Sequence, residues 1–518
     1  MTTREDFSAA ITAGYAASGE SIRLGCGMLG NAVVDAAEVR LPLKMMNRHG
    51  LIAGATGTGK TKTLQLLSEG LSNASVPVLV LDIKGDLSGL GAAGTASARV
   101  VERAQALDTF YTPQAFPVEL LTLSTAPGVR LRATVSEFGP VLLSKILGLN
   151  DTQGGIVALI FKYCDDNGLP LLDLKDFIKV LQYISAEGKA EIEKTYGKIS
   201  TTSTGTILRK VIELQQQGAD LFFGERSFDV DDLMRIADDG RGIISILRVT
   251  ELQDRPKLFS TFMLQLLAEL YATAPEEGDL DKPKLVLFID EAHLLFNDAS
   301  KVLLDQIETV IKLIRSKGIG IYFCTQNPVD VPPAILSQLG TKVQHALRAF
   351  TAADRKAIKQ AAENYPETTF YKTENLLTEL GIGEALVTVL SERGTPTPLV
   401  HTLLLPPASR MDVLTSSEVD ALVRTSKLAS KYNTPVDSES AYEILNEKLA
   451  AAQQRTTEVA PQPAPKTAQP RAAKKEKTWM DNPAVRSAGR TAATIITRSL
   501  LGVLGLGGST RRRSRGLF

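Results

Sequence analysis

Cysteine is scarce. The 518 residues hold three, Cys26, Cys164 and Cys324, far apart and without metal-ligand spacing. That argues against a disulfide framework or a zinc ribbon and fits a reducing cytoplasm, the expected location. Aromatic residues make up 6%, with Trp479 the single tryptophan, so stacking of bases on rings is not a dominant theme. No stretch approaches the roughly 20 apolar residues of a membrane span. The opening MTTREDFSAA carries Glu5 and Asp6 and no long apolar run, so no signal peptide is expected. Net charge is absent too, 58 basic groups standing against 58 acidic ones. That balance hides an asymmetry. From Arg455 to Phe518 there are 13 Lys or Arg against three acids, Glu458, Glu476 and Asp481. A basic tail on an acidic body has three candidate targets: nucleic acid, an anionic membrane, or the body itself. The remaining composition, 44% hydrophobic and 22% charged, is that of an ordinary globular chain long enough for several domains.

Along the body, apolar runs alternate with helical periodicity. Leu51 to Gly54 ends a strand that enters a glycine loop. A helix from Lys60 to Ser72 follows, with Leu64, Leu67 and Leu71 on one face. Val76–Asp82, Gly242–Leu247, Leu285–Ile289 and Ile319–Gln326 read as buried parallel strands. Lys301–Lys317 reads as a helix whose buried side carries Val302, Ile307, Val310, Ile311 and Ile314. Such alternation predicts an α/β fold with a doubly wound sheet. Residues 125–239 are mainly helical in pattern and are expected to be an insertion. Residues 451–478 are rich in Ala, Pro, Gln and Lys and predict a disordered linker. Asn482–Leu506 then predicts a short helix before an Arg-rich end.

The sharpest chemical signal is Gly54-Ala55-Thr56-Gly57-Thr58-Gly59-Lys60-Thr61, a full match to G-x-x-x-x-G-K-[ST]. Glycines let backbone amides curl round a phosphate, and the helix that begins at Lys60 aims its free N–H groups at the same anion. Lys60 is placed to face the β- and γ-phosphates of ATP, and the Thr61 hydroxyl to ligate Mg²⁺. In Leu285–His293 (LVLFIDEAH), five apolar residues deliver Asp290 to a strand end, where it is expected to hold the Mg²⁺ shell. Glu291 follows as the expected general base. Gln326 ends another strand and is a candidate for touching the γ-phosphate or its water. Asp82 is either a turn former or a neighbour of the site. His49, His293, His345 and His401 form no catalytic pattern.

Four segments together resemble the HerA/FtsK group of P-loop ATPases: His49–Thr61, Val80–Asp86, Leu285–Phe296 and Arg315–Pro332. Ile335–Phe350 (ILSQLGTKVQHALRAF) is similar to the segment that follows in HerA-type proteins. The bacterial HerA-like, YjgR-like branch is the nearest in pattern. The resemblance implies a RecA-like P-loop NTPase sheet, ATP hydrolysis with Mg²⁺, a homohexameric ring, and translocation on or remodelling of duplex DNA. It also implies an arginine finger reaching a neighbour's site, with Arg315 and Arg348 in the matching regions. The expected boundaries are a β-rich segment over 1–48, an ATPase core over 49–124 and 240–405, the helical insertion over 125–239, helices over 406–450, and a basic tail over 451–518. HerA proper places a β-barrel domain ahead of its ATPase, whereas 53 residues precede Gly54 here.

Two-lobed RNA helicases share D-E-A-H, but no Q-x-x-G-R-x-G-R segment lies between Pro328 and Leu405. The rival reading is an ATP-driven motor on protein or membrane partners, such as a secretion or assembly ATPase. A nucleotide-gated scaffold is a third, and a positioned Glu291 speaks against it.

Overall fold

Five consecutive apolar residues, Leu285–Ile289, have no polar face to offer water, so they suit a strand covered on both sides. In the computed structural model, which describes residues 3–252, 255–278, 280–296, 301–434 and 436–458, all five are buried. They belong to a twelve-stranded sheet. Its strands are β1 (Ser21–Leu29), β2 (Ala32–Pro42), β3 (Gly50–Ala53), β4 (Val78–Asp82), β5 (Val118–Thr122) and β6 (Val129–Arg130), then β7 (Ile244–Arg248), β8 (Leu285–Ile289), β9 (Ile319–Thr325), β10 (Thr341–Gln344), β11 (Glu384–Thr388) and β12 (Val400–Leu404). The order across the sheet is β2-β1-β12-β11-β10-β3-β9-β8-β4-β7-β5-β6.

From β10 to β6 every pairing is parallel. From β10 to β2 every pairing is antiparallel. The parallel half is the α/β sheet that the alternating pattern predicts. In the antiparallel half, β1 and β2 lie in the segment expected to be β-rich, but their place in this sheet was not legible. Residues 1–48 do not form a segment of their own: they begin with the helix Arg4–Gly14, and β1 pairs with β12 in register Cys26↔Leu403. The physical reason is burial. Phe7 and Ile11 on that helix are fully enclosed, and Phe7 meets Phe370 edge-on at 5.1 Å.

Among the described residues, contacts give two units, 3–131 with 228–434, and 132–227 with 436–458. The first holds the whole sheet. Its helix Lys60–Asn73 buries Leu64, Leu67 and Leu71, and Lys301–Ile314 buries Ile307, Val310, Ile311 and Ile314.

The second unit contains helices Val135–Ile146, Asp151–Asn167, Leu174–Ser185, Lys189–Thr195 and Thr201–Gln216. Capping boxes at Asn150 and Asp173 start two of them, satisfying N–H groups that a helix start leaves free. The helix Ala441–Glu458 packs on Leu174–Ser185, and Ser440 Nα–H and Oγ–H are tied to Glu443 and Asp176 carboxylates. It is seated by Ala441 and Leu445, which are buried in this unit, and continues as helix through the first eight residues of the expected linker. The rest of the tail, including the predicted helix Asn482–Leu506, lies outside the described residues. Among the described residues no helix is long and apolar enough to cross a membrane.

Candidate functional site

β3 ends at Ala53 and the chain turns into the glycine loop. Gly54 N–H donates to Thr325 O at 3.2 Å and Ala55 N–H to Ala346 O at 2.8 Å, so the loop is rooted between the ends of β9 and β10. Gly54 has φ 151°, and a Cβ there would lie 2.5 Å from the Cβ of His345. Only glycine fits. Gly59, at φ 115°, opens the helix that starts at Lys60. Thr56 and Gly57 are exposed at the crown, Thr58 is buried, and its hydroxyl donates to Ala55 O at 2.7 Å. The Lys60 ammonium is buried and donates to Gly54 O at 2.6 Å and to Ala55 O at 3.1 Å. Burial first, then the nearby Lys84 charge, holds Lys60 below the ordinary lysine range, while Glu291 and Asp290 pull the other way. Lys60 and Asp290 therefore lie at one end of the sheet, within range of each other's charge.

That proximity follows from topology. β9 lies between β3 and β8, with Ala53 opposite Thr325 and Ile289 opposite Phe323. Ligands in open parallel sheets gather at these carboxyl ends. Asp290 is 5% exposed, and its Oδ2 has no hydrogen-bond partner among the described residues. Burial, then the adjacent Glu291 charge, pushes its carboxyl up to about 7. Asp86, in the turn after β4, has one oxygen 3.5 Å from the Thr61 hydroxyl and the other buried without a partner. A buried carboxylate oxygen with no donor is costly unless a cation or proton meets it. Thr61, Asp86 and Asp290 are the side chains whose oxygens could hold Mg²⁺ at this end of the sheet. Among the described residues no group of three His, Cys, Asp or Glu side chains could hold a metal alone.

The raised Asp290 pKa makes a stability prediction with a definite sign. An unfolded aspartate loses its proton near pH 4, whereas the folded one keeps it to about 7. Folding therefore favours the protonated form, and stability falls as pH rises across that window, then levels. Asp290→Asn removes the buried charge. In EDTA at pH 8 its melting temperature is expected to exceed that of the native protein by about 2–5 °C, with the gap closing at pH 5. Thermal unfolding at the two pH values checks this; a less stable Asn variant at pH 8 contradicts it.

Glu291 has φ 45°, an unusual value for a non-glycine residue, and is 4% exposed. Three side chains surround its carboxylate. Lys84, just beyond β4, forms an ion pair with Oε1. His293 Nδ1 lies 3.2 Å from Oε2, and Gln326 Nε2 3.5 Å from the same oxygen. Sequence reasoning missed Lys84, Asp86 and the place of His293. No local signal marked them, since only the pairing of β4 with β8 sets the end of β4 beside Asp290 and Glu291. Asp82 is a turn former: its carboxylate accepts from the backbone N–H of Gly85, Asp86 and Leu87 at 2.7, 3.2 and 3.1 Å. His345 braces the loop from beneath, its Nε2 2.8 Å from Thr63 Oγ1.

The two candidate arginines lie apart. Arg348 is exposed on the rim of a cavity of about 380 Å³ lined also by Ala55, His293, Gln326 and Asn327. Arg315 sits in the turn before β9, at the other end of that strand from Gln326, and lines a cavity of about 550 Å³ with Arg48, Lys312 and Lys342.

Residues 29–512 match the family model described as helicase HerA-like C-terminal. The probable helicase MJECL08 of Methanocaldococcus jannaschii is 31% identical over 154 residues, 28% of this chain and 28% of that protein. The DNA double-strand break repair helicase HerA of Sulfolobus acidocaldarius is 21% identical over 375 residues, covering 69% of this chain and 66% of the relative. The chain thus spans less than two thirds of either relative. Among solved structures, the bacterial conjugative coupling protein TrwBdeltaN70 matches with a TM-score of 0.51 and 13% identity, over 79% of this chain and 95% of that one. At that identity the likeness concerns the fold.

Proposed function

This chain belongs to the HerA-like helicase C-terminal family, and from that membership and the site's geometry we propose that it is a P-loop ATPase motor acting on DNA as a ring-shaped homo-oligomer. One observation carries the ATPase reading: β3 and β8 bring Lys60 and the unpartnered Asp290 oxygen to one end of the sheet, with Glu291 beside them.

In this reading ATP lies with its phosphates in the Gly54–Thr61 loop, against the Lys60 ammonium and the free N–H groups of the helix start. Thr61 and Asp290 would hold a magnesium ion, which would supply positive charge to the bound phosphates. Glu291 takes a proton from a water as that oxygen attacks the γ-phosphorus. The bond to the β,γ-bridging oxygen breaks, and ADP leaves with the electron pair. Gln326, at the end of β9 and next to Glu291, is placed to sense the change and pass it to Asn327–Pro333. Arg315, far along β9 from its own loop, suits reaching a neighbouring copy's phosphates. Arg348, beside Ala55, suits its own. The family's hexamer is the proposed ring.

ATP turnover with and without duplex DNA, run beside a sizing measurement in nucleotide, tests the proposal. Several-fold stimulation by DNA and a nucleotide-dependent oligomer are expected. Stimulation by anionic vesicles with no response to DNA would instead favour a motor on membrane or protein partners. The basic stretch after Arg455 is the feature that would serve that alternative.

A further inference from the structure

A base that is to accept a proton from water is poorly served by an ammonium bonded to it. Yet Lys84 is ion-paired with Glu291. Its side chain is 35% exposed against 6% for Glu291, so it approaches the carboxylate from the open side of the site. It is not isolated from the phosphate loop. The Lys84 charge is felt by Lys60, and Lys84 in turn lies within range of Asp290 and Asp86. The space between these four groups is where the γ-phosphate falls if ATP occupies the loop.

Charge decides between the two possible partners of Lys84. A carboxylate offers one negative charge, whereas a terminal phosphate offers nearly two and three acceptor oxygens. An ammonium within reach of both moves toward the phosphate. Glu291 then keeps His293 and Gln326, at 3.2 and 3.5 Å, as weaker contacts that hold its direction while leaving Oε1 open. Its backbone, fixed at φ 45° by the turn after β8, does not need to move.

We propose that Lys84 is a latch on Glu291: it holds the base in an ion pair when no γ-phosphate is present, and exchanges to that phosphate when ATP binds. The inference rests on the ATPase reading above. It makes Lys84 a positioning residue that reads ATP against ADP, because only ATP carries the group that opens the latch.

Equilibrium binding of ADP and of a non-hydrolysable ATP analogue that keeps the γ-phosphate (standing for ATP throughout), with Mg²⁺, measured for the full chain by calorimetry, tests the latch without relying on turnover. Glu291→Gln, which removes the competing charge, is expected to tighten ATP severalfold and leave ADP unchanged. Adding Lys84→Met to that variant is expected to weaken ATP by about tenfold or more, again without effect on ADP. Lys84→Arg in the same background is expected to restore ATP binding in large part. Unchanged ADP affinity also reports an intact loop, so misfolding is separable from the effect sought. An ATP-to-ADP affinity ratio that Lys84→Met leaves alone overturns the latch. A native chain that binds neither nucleotide overturns the ATPase reading instead. Binding and hydrolysis with an insensitive ratio defeat the latch only.

Discussion

Lys60→Ala is expected to abolish nucleotide binding, with affinity for ATP falling at least about 100-fold. The loop would survive in outline, since its backbone is anchored by Gly54 and Ala55 to Thr325 and Ala346 independently of the lysine. What disappears is the one buried cation within the loop. Asp290 and Glu291 would then face the phosphates with the metal ion and the more exposed Lys84 as the remaining positive charge, and without the buried ammonium at the loop itself. Two carboxylates and a triphosphate in one enclosed space repel strongly when nothing compensates. Calorimetry or displacement of a fluorescent nucleotide measures the loss. Native-like affinity in a folded Lys60→Ala protein would remove the premise for every role assigned to this end of the sheet.

Glu291→Gln should separate binding from turnover. Glutamine keeps the shape of the side chain and can still meet His293 and Gln326, but it cannot take a proton. Turnover is expected to fall on the order of 10²–10⁴-fold, with ATP still bound. Single-turnover hydrolysis followed by phosphate release provides the measurement. A rate within about twofold of native would reduce Glu291 to a turn residue held at φ 45°, and the base would have to be sought elsewhere.

The site was legible in proportion to how local its parts are. Gly54–Thr61 is contiguous, and each residue type there has a reason that holds for almost any surroundings. Asp290 and Glu291 were legible because a five-residue apolar run has few fates other than a central strand. Lys84 was not legible as a partner of Glu291. The two are 207 positions apart, and only the adjacency of β4 and β8 brings them together. Asp82 was ambiguous for a related reason: a carboxylate at a strand end can serve a site or a turn, and three backbone donors decided for the turn. The pairing of the antiparallel half was hidden because β1, besides its hairpin partner β2, pairs with β12 near residue 402, and periodicity carries no information about a partner so remote.

The placement of β3 in the middle of the sheet has a consequence for how the protein is made. β3 emerges early from the ribosome, but the neighbours that root its loop, β9 and β10, are Ile319–Thr325 and Thr341–Gln344. At ordinary synthesis rates of about 5–20 residues per second, roughly 15–60 s separate β3 from the completed β10. Throughout that interval the loop sequence exists without its seat. Nascent chains arrested before residue 346 should therefore fail to retain ATP, and only chains that expose β10 beyond the exit tunnel should begin to hold it.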